Sequence, residues 1–216
     1  MRSRRLQSQG VDRRGGQRTP AAPATQRDVR WCSTQFVSQP SLGDTVTWEA
    51  ERLATGKRAA KELDFRNAEL VAFGATRKAG ATTHEDAQVR ALLDAETSVI
   101  TLVAKSDIRH VERALRTTAE ENLAMIRDTV AYLRGEGRRV VLDAEHFFDG
   151  FRYDADYALR AVVAAFEAGA ETVCLCDTNG GMLPDWVHDI VTRVRAETDG
   201  RLGMHAHNDS GCAVAN

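Results

Sequence analysis

A chain of 216 residues with 43% hydrophobic and 28% charged side chains has enough apolar material for one domain with a sizeable core. Its 29 Lys and Arg against 31 Asp and Glu leave a net charge of -2, which supplies no overall basic field for nucleic acid or an anionic membrane. No apolar run approaches the roughly 20 residues that a bilayer-spanning helix needs, and Cys32, Cys174, Cys176 and Cys212 form no CxxC pair, so the composition points to a cytoplasmic small-molecule enzyme with reduced thiols.

Residues 1–57 read as a leader apart from the rest. Within residues 1–30, arginines at 2, 4, 5, 13, 14, 18, 27 and 30 are opposed only by Asp12 and Asp28. Such a segment buries too little apolar surface to offset its ordering entropy, and it reads as a disordered or unrelated leader. A transit peptide or a nucleic-acid arm are the functional alternatives, and nothing downstream calls for either. In 31–57 only "WCSTQFVS" resembles a short strand.

Residues 58–216 are regular. Helix-like "RAAKELDF" precedes the apolar strand "LVAFG" at 70–74, and "SVITLVAK" at 98–105 is a second strand. The long amphipathic stretch from Asp107 is expected to stop at Gly135 or Gly137. "RRVVLDAEHFFD" at 138–149 reads as the third strand, followed by the helix "ADYALRAVVAAFEAGA", which Gly169 closes. "ETVCLCDTNGG" supplies the fourth strand, "LPDWVHDIVTRVRAET" a helix with Pro184 in its first turn, and "RLGMHAHND" the fifth strand. Apolar strands each followed by a helix predict an α/β fold with a parallel sheet buried on both faces. Five βα units against the eight of a closed barrel predict a partial (β/α)8 barrel, with a flavodoxin-like open sheet as the geometric alternative.

The polar residues gather at the C-terminal ends of these strands: Asp143, Glu145 and His146; Asp177, Thr178 and Asn179; His205, His207, Asn208 and Asp209. In either architecture that rim is where chemistry is built. His205 and His207, two apart on one strand, present both imidazoles to one side, a spacing that suits a divalent metal; the alternative is one structural and one surface histidine. Glu145 follows "VVL" and precedes two aromatics, so burial there would raise its pKa and fit it for proton transfer, unless a neighbouring cation pairs with it. His146 has the character of a supporting hydrogen-bond partner, and Asp143 and Asp149 that of paired strand-end charges. In "CDTNGG", Thr178 and free backbone N–H groups suit a carboxylate oxygen, and the alternative is a polar turn with Asn179 at positive φ. No GxGxxG or GxxxxGK[ST] loop is present.

Taken together, "DAEHFFDG", "LCDTNGG" and "HAHND", with "LVAFGATRKAG" and "LRTTAEENLAMIRDTVAYL" in the same order, resemble the citramalate synthase branch of the isopropylmalate and homocitrate synthase family. The resemblance covers roughly residues 58–216. It implies a TIM barrel that binds a divalent metal (Mg, Mn or Zn) and condenses acetyl-CoA with a 2-oxo acid. In this branch that acid is pyruvate, and the product is (R)-citramalate for isoleucine biosynthesis. It implies His205 and His207 as metal ligands, Glu145 as the acid beside the substrate, Thr178 as the contact to the substrate carboxylate, and a homodimer for the intact enzyme. The alternatives are a 2-isopropylmalate synthase, an HMG-CoA lyase type, or a non-catalytic gene fragment. The family's first strand, reading Asp-Thr-Thr-Leu-Arg-Asp-Gly and supplying the metal's third protein ligand, has no counterpart in residues 1–57. The expectation is therefore an N- and C-terminally truncated piece holding strands three to seven, with little activity alone.

Overall fold

The computed structural model describes residues 69–216; the leader at 1–57 and the helix expected at 58–65 lie outside the described residues. Five strands, β1 (Val71–Ala75), β2 (Val99–Lys105), β3 (Arg139–Glu145), β4 (Thr172–Asp177) and β5 (Arg201–Ala206), form one sheet in the order β1-β2-β3-β4-β5, and every pairing is parallel. The helices are α1 (Ala87–Asp94), α2 (Ala119–Gly135), α3 (Phe147–Tyr153), α4 (Ala155–Glu167) and α5 (Pro184–Glu197).

Strictly sequential parallel order excludes the flavodoxin-like alternative, in which the strand order reverses within the sheet and helices cover both faces. Each crossover steps to the neighbouring strand, and the helices share one core with alternate strand residues, so they gather on one face, as they do around a barrel. The fold is α/β, a five-stranded parallel arc of a (β/α)8 barrel. Strand residues facing the helices are buried: Ile100, Leu102, Ala104, Val140, Leu142, Ala144, Val173 and Leu175 pack with Val89, Leu123, Ile126, Val130, Val162, Val187, Ile190 and Val194 in one core.

The opposite face is half-buried rather than apolar throughout, which corrects the expectation of a sheet buried on both sides. Its alternating positions carry Thr101, Val103 and Lys105 on β2 and Asp143 and Glu145 on β3, all partly exposed. Continuous apolar runs such as "VVL" hide this alternation, because Val141 faces inward while Val140 and Leu142 face the helices.

Two segments differ from expectation. The stretch from Asp107 is three pieces: a turn at Ile108–His110, a π-helical turn at Val111–Leu115, and α2. Arg116 in the left-handed region (φ 53°) ends the second piece, and the Thr118 hydroxyl accepts from the Glu121 N–H to start α2. Thr118-x-x-Glu121 is a capping-box pattern, so that start was written in the sequence. The third strand ends at Glu145 rather than running to Asp149. His146 turns the chain at φ 59°, and "FFDGFRY" is α3, with Phe147 and Phe148 fully buried. Gly150 makes this possible: a Cβ there would lie 2.6 Å from the Ser106 carbonyl oxygen, so only glycine lets α3 approach the end of β2.

Candidate active site

The register fixes which side chains share a level on the inward face. Lys105 is opposite Glu145, Asp143 opposite Cys174, and Cys176 opposite His205. One further step along the β3 and β4 register brings Glu145 level with Cys176. Lys105, Glu145, Cys176 and His205 therefore form one row across the C-terminal rim, with Asp143 in the row beneath.

Glu145 forms an ion pair with Lys105, and both side chains are mostly covered, at 28% and 23% exposure. The backbone beneath the pair is fixed: the Ser106 N–H and hydroxyl both donate to the Glu145 carbonyl, at 3.1 and 2.8 Å. Asn122, fully buried, donates from Nδ2 to the Lys105 carbonyl at 2.9 Å and to the Tyr157 hydroxyl at 2.7 Å. Burial pushes the Tyr157 hydroxyl up to about 12, against the hydrogen bond from Asn122.

His205 ends β5 among exposed residues, and His207 follows just beyond the strand. Their ring centroids are 5.0 Å apart with the rings edge to face. One carboxylate oxygen of Asp143, the Cys176 sulfur and a ring nitrogen of His205 all lie within 4.8 Å of one another. Metal-ligand bonds to such atoms run to about 2.0–2.3 Å, so a modest inward movement of these side chains would enclose a divalent ion. Burial pushes the Asp143 carboxyl up against the opposing pull of His205, and the hydrogen bond with Cys174, reinforced by burial, holds the Cys176 thiol far above its ordinary value. The Asp143 carboxylate and the histidine nitrogens are donors that fit a divalent metal, whereas Cys176, held as a thiol, would have to give up its proton to join them.

Thr178 lies between the two halves of the rim. Its Oγ1 accepts from the His146 N–H at 2.8 Å, which leaves the hydroxyl hydrogen free to donate. The ring of His146 stacks on that of His110 at 4.0 Å, and its buried Nδ1 has no hydrogen-bond partner. Burial, then the neighbouring His110, hold the His146 pKa below its ordinary value.

Asp177, fully buried, organises the loop that follows β4: its two carboxylate oxygens accept from the Gly181 and Met182 N–H groups, at 3.2 and 3.1 Å. Its carbonyl accepts from the His207 N–H at 3.2 Å, and the Gly180 carbonyl accepts from Ser210 at 2.9 Å. The positive φ in this loop is at Gly180 (62°) and not at Asn179, whose side chain instead donates to Asp149 at 2.8 Å. A Cβ on Gly180 would stand 2.3 Å from an Asp209 carboxylate oxygen, so the glycine allows the β4 loop and the histidine segment to lie against each other.

The structure thus brings Glu145, Thr178, His205 and His207 to one rim. Sequence reasoning missed Lys105 and Cys176 and gave Asp143 no chemical part. The available signal was positional: "SVITLVAK" ends in the same place, relative to its strand, as "VVLDAE" does.

The HMGL-like family model matches residues 60–216. The chain is 61% identical over 159 residues to the (R)-citramalate synthase of Streptomyces coelicolor, covering 74% of this chain and 30% of that protein. It is 50% identical over 158 residues to that of Aquifex aeolicus, covering 73% and 30%. The chain therefore spans about 30% of the length of the curated relatives it matches. Among solved structures, an HMG-CoA lyase from Bacillus subtilis superposes with a TM-score of 0.61 at 18% identity, over 77% of this chain and 54% of that one, a likeness of fold. With its five-stranded parallel arc and a family match running across every described residue, the chain belongs to the HMGL-like family.

Proposed function

We propose that this chain carries the acceptor-binding rim of an (R)-citramalate synthase, in which acetyl-CoA, pyruvate and water give (R)-citramalate and free CoA. The observation that carries the reading is the 61% identity to a citramalate synthase over 159 residues. Thr178 donates its free hydroxyl hydrogen to a carboxylate oxygen of the 2-oxo acid, oriented by the His146 N–H that Oγ1 accepts. Glu145 is the carboxylate beside the acceptor, held in place by Lys105 and by a backbone fixed through Ser106. His205 and His207 hold a divalent ion (Mg, Mn or Zn), with Asp143 and Cys176 within reach of His205, and when bound it supplies Lewis-acid polarisation of the acceptor's keto group. The α5 and β4 loops keep the histidine segment against Thr178 through Gly180 and Asp177.

Pyruvate and acetyl-CoA as substrates, a homodimer for the intact enzyme and a cytoplasmic setting are part of this reading. No described helix is long and apolar enough to cross a membrane. The test compares pyruvate with 2-oxoisovalerate, by calorimetric binding to the Mn²⁺-loaded chain and by acetyl-CoA-dependent release of free thiol. Pyruvate is expected to be preferred by about tenfold or more, because the larger acceptor adds a branched group that the site must accommodate. Equal or better use of 2-oxoisovalerate would overturn the substrate assignment.

A further inference from the structure

Lys105 has no part in the chemistry assigned so far beyond holding Glu145, yet its position is that of a ligand-binding cation. It ends β2 on the inward face, opposite Glu145 and in the row that runs through Cys176 to His205. Among the described residues, two other cations that follow strand ends, Arg77 and Arg109, are already paired. Arg77 is buried against Glu121 and Asp128, at 2.7 and 2.8 Å, and Arg109 is held by the fully buried Asp107 at 2.6 Å. Lys105 instead pairs with a residue that itself faces the substrate region.

The end of β3 is bracketed by two hydrogen-bond donors. On one side, Thr178 Oγ1 rests on the His146 N–H with its own hydrogen unspent. On the other, Lys105 Nζ rests on the Glu145 carboxylate. An ammonium has three N–H donors, so the ion pair leaves two for a second anion. The partial burial of both side chains raises the strength of such contacts above that of a surface pair. The Asn122 bond to the Lys105 carbonyl and the Ser106 bonds to the Glu145 carbonyl fix the backbone, so only the flexible lysine stem needs to move.

We propose that Lys105 is a substrate-positioning residue that, opposite Thr178, receives the carboxylate of the 2-oxo acid, with Glu145 as its resting partner. This rests on the reading of the rim as a 2-oxo acid site. Lys105 then confers selectivity for an anionic acceptor over a neutral one of the same shape, because the neutral one offers no charge to the two donors that the Glu145 pair leaves free.

The test measures binding of pyruvate and of its neutral methyl ester to the Mn²⁺-loaded 216-residue chain, as wild type, Lys105→Met, Lys105→Gln and Lys105→Arg. Wild type is expected to favour pyruvate over the ester by on the order of ten- to a hundredfold, the range for a hydrogen bond to a charged group. Lys105→Met and Lys105→Gln collapse that ratio toward one, and Lys105→Arg restores part of it. Mn²⁺ affinity stays near wild type and Tm falls modestly, because Glu145 loses its half-buried partner, whereas a merely structural lysine would lower Tm and leave the ratio unchanged. A ratio unchanged in both neutral variants overturns the role of Lys105 while leaving the 2-oxo acid site standing. A wild-type chain that takes up Mn²⁺ but binds no 2-oxo acid overturns the reading of the rim and this assignment with it.

Discussion

The same five strands end in two differently built surfaces. At their N-terminal ends, Arg139 is held between Glu69 and Glu171, at 2.8 and 2.7 Å, while Arg201 approaches Glu171 at 3.6 Å. Arg138 donates through Nη1 to the Thr97 carbonyl, although its buried Nε has no partner, and the Thr97 hydroxyl donates to the Val99 carbonyl, so most of these polar groups are spent on the fold itself. At the C-terminal ends, the Thr178 hydroxyl hydrogen, the Lys105 ammonium and the two imidazoles retain capacity for a ligand, and His146 keeps a buried nitrogen unpartnered. One end closes its charges against each other and contributes stability; the other leaves them available and contributes chemistry.

The sharpest way to break that division is the His205→Ala, His207→Ala double variant. Mn²⁺ affinity measured by calorimetry should fall by roughly a hundredfold or more, since removing ligands exceeds the effect of removing their supporting partners. Tm should hardly move, because both rings are exposed. Unchanged heats would remove the rim from metal chemistry.

A structural change at the rim comes next. Gly180→Val forces a β-branched side chain to φ 62° and into Asp209, and should lower unfolding free energy by about 2–3 kcal/mol. It should also weaken Mn²⁺ binding by separating the loop after β4 from His207. Retained affinity with lost stability would show that the latch is structural only.

Acid should separate the two ends in order. His146 has its folded pKa depressed, first by burial and then by His110, so its contribution to stability is present above an unfolded value of about 6.5 and is lost as pH falls through the folded value. Glu171, lowered first by its hydrogen bonds to Arg139, contributes above an unfolded value of about 4.3 and loses that contribution only at lower pH. Thermal melts from about pH 8 to about pH 3 should therefore show a shallow loss beginning near 6.5, with a second loss further down. His146→Asn, which tolerates the same left-handed backbone, should flatten the first and leave the second. If the first limb persists in that variant, another group governs it.

The smallest effect belongs to the N-terminal end. Arg139→Met should lower stability by about 1 kcal/mol, because the guanidinium is 39% exposed and solvent screens its pairs. Mn²⁺ and pyruvate binding should be unchanged. A clear drop in metal affinity would mean that the two ends are coupled through β3.

The positions of Glu145, Thr178, His205 and His207 could be read from the chain because each follows an apolar run at a strand's end, and strand ends are local features. Lys105 was overlooked for the opposite reason. Its significance lies in register with Glu145, 40 residues away, and no local pattern carries cross-strand register. The extent of the third strand was misjudged for a related reason: "HFF" has strand-like composition, and only the close approach of Gly150 to the Ser106–Asp107 backbone makes it a turn and a helix.

The sequence by itself determined the alternation of strands and helices, the gathering of polar groups at one set of strand ends, and, through the resemblance of its motifs, the family to which they point. The first two follow from periodicity and composition, which act over a few residues, and the family from the resemblance of its motifs. Only the tertiary structure decided that the strands lie in sequential order with helices on one face, that Asp143 and Cys176 come beside His205, and that Lys105 faces Glu145. Those relations depend on how separate strands are paired and which way each side chain leaves its pleat, and both are set when distant apolar surfaces are buried together.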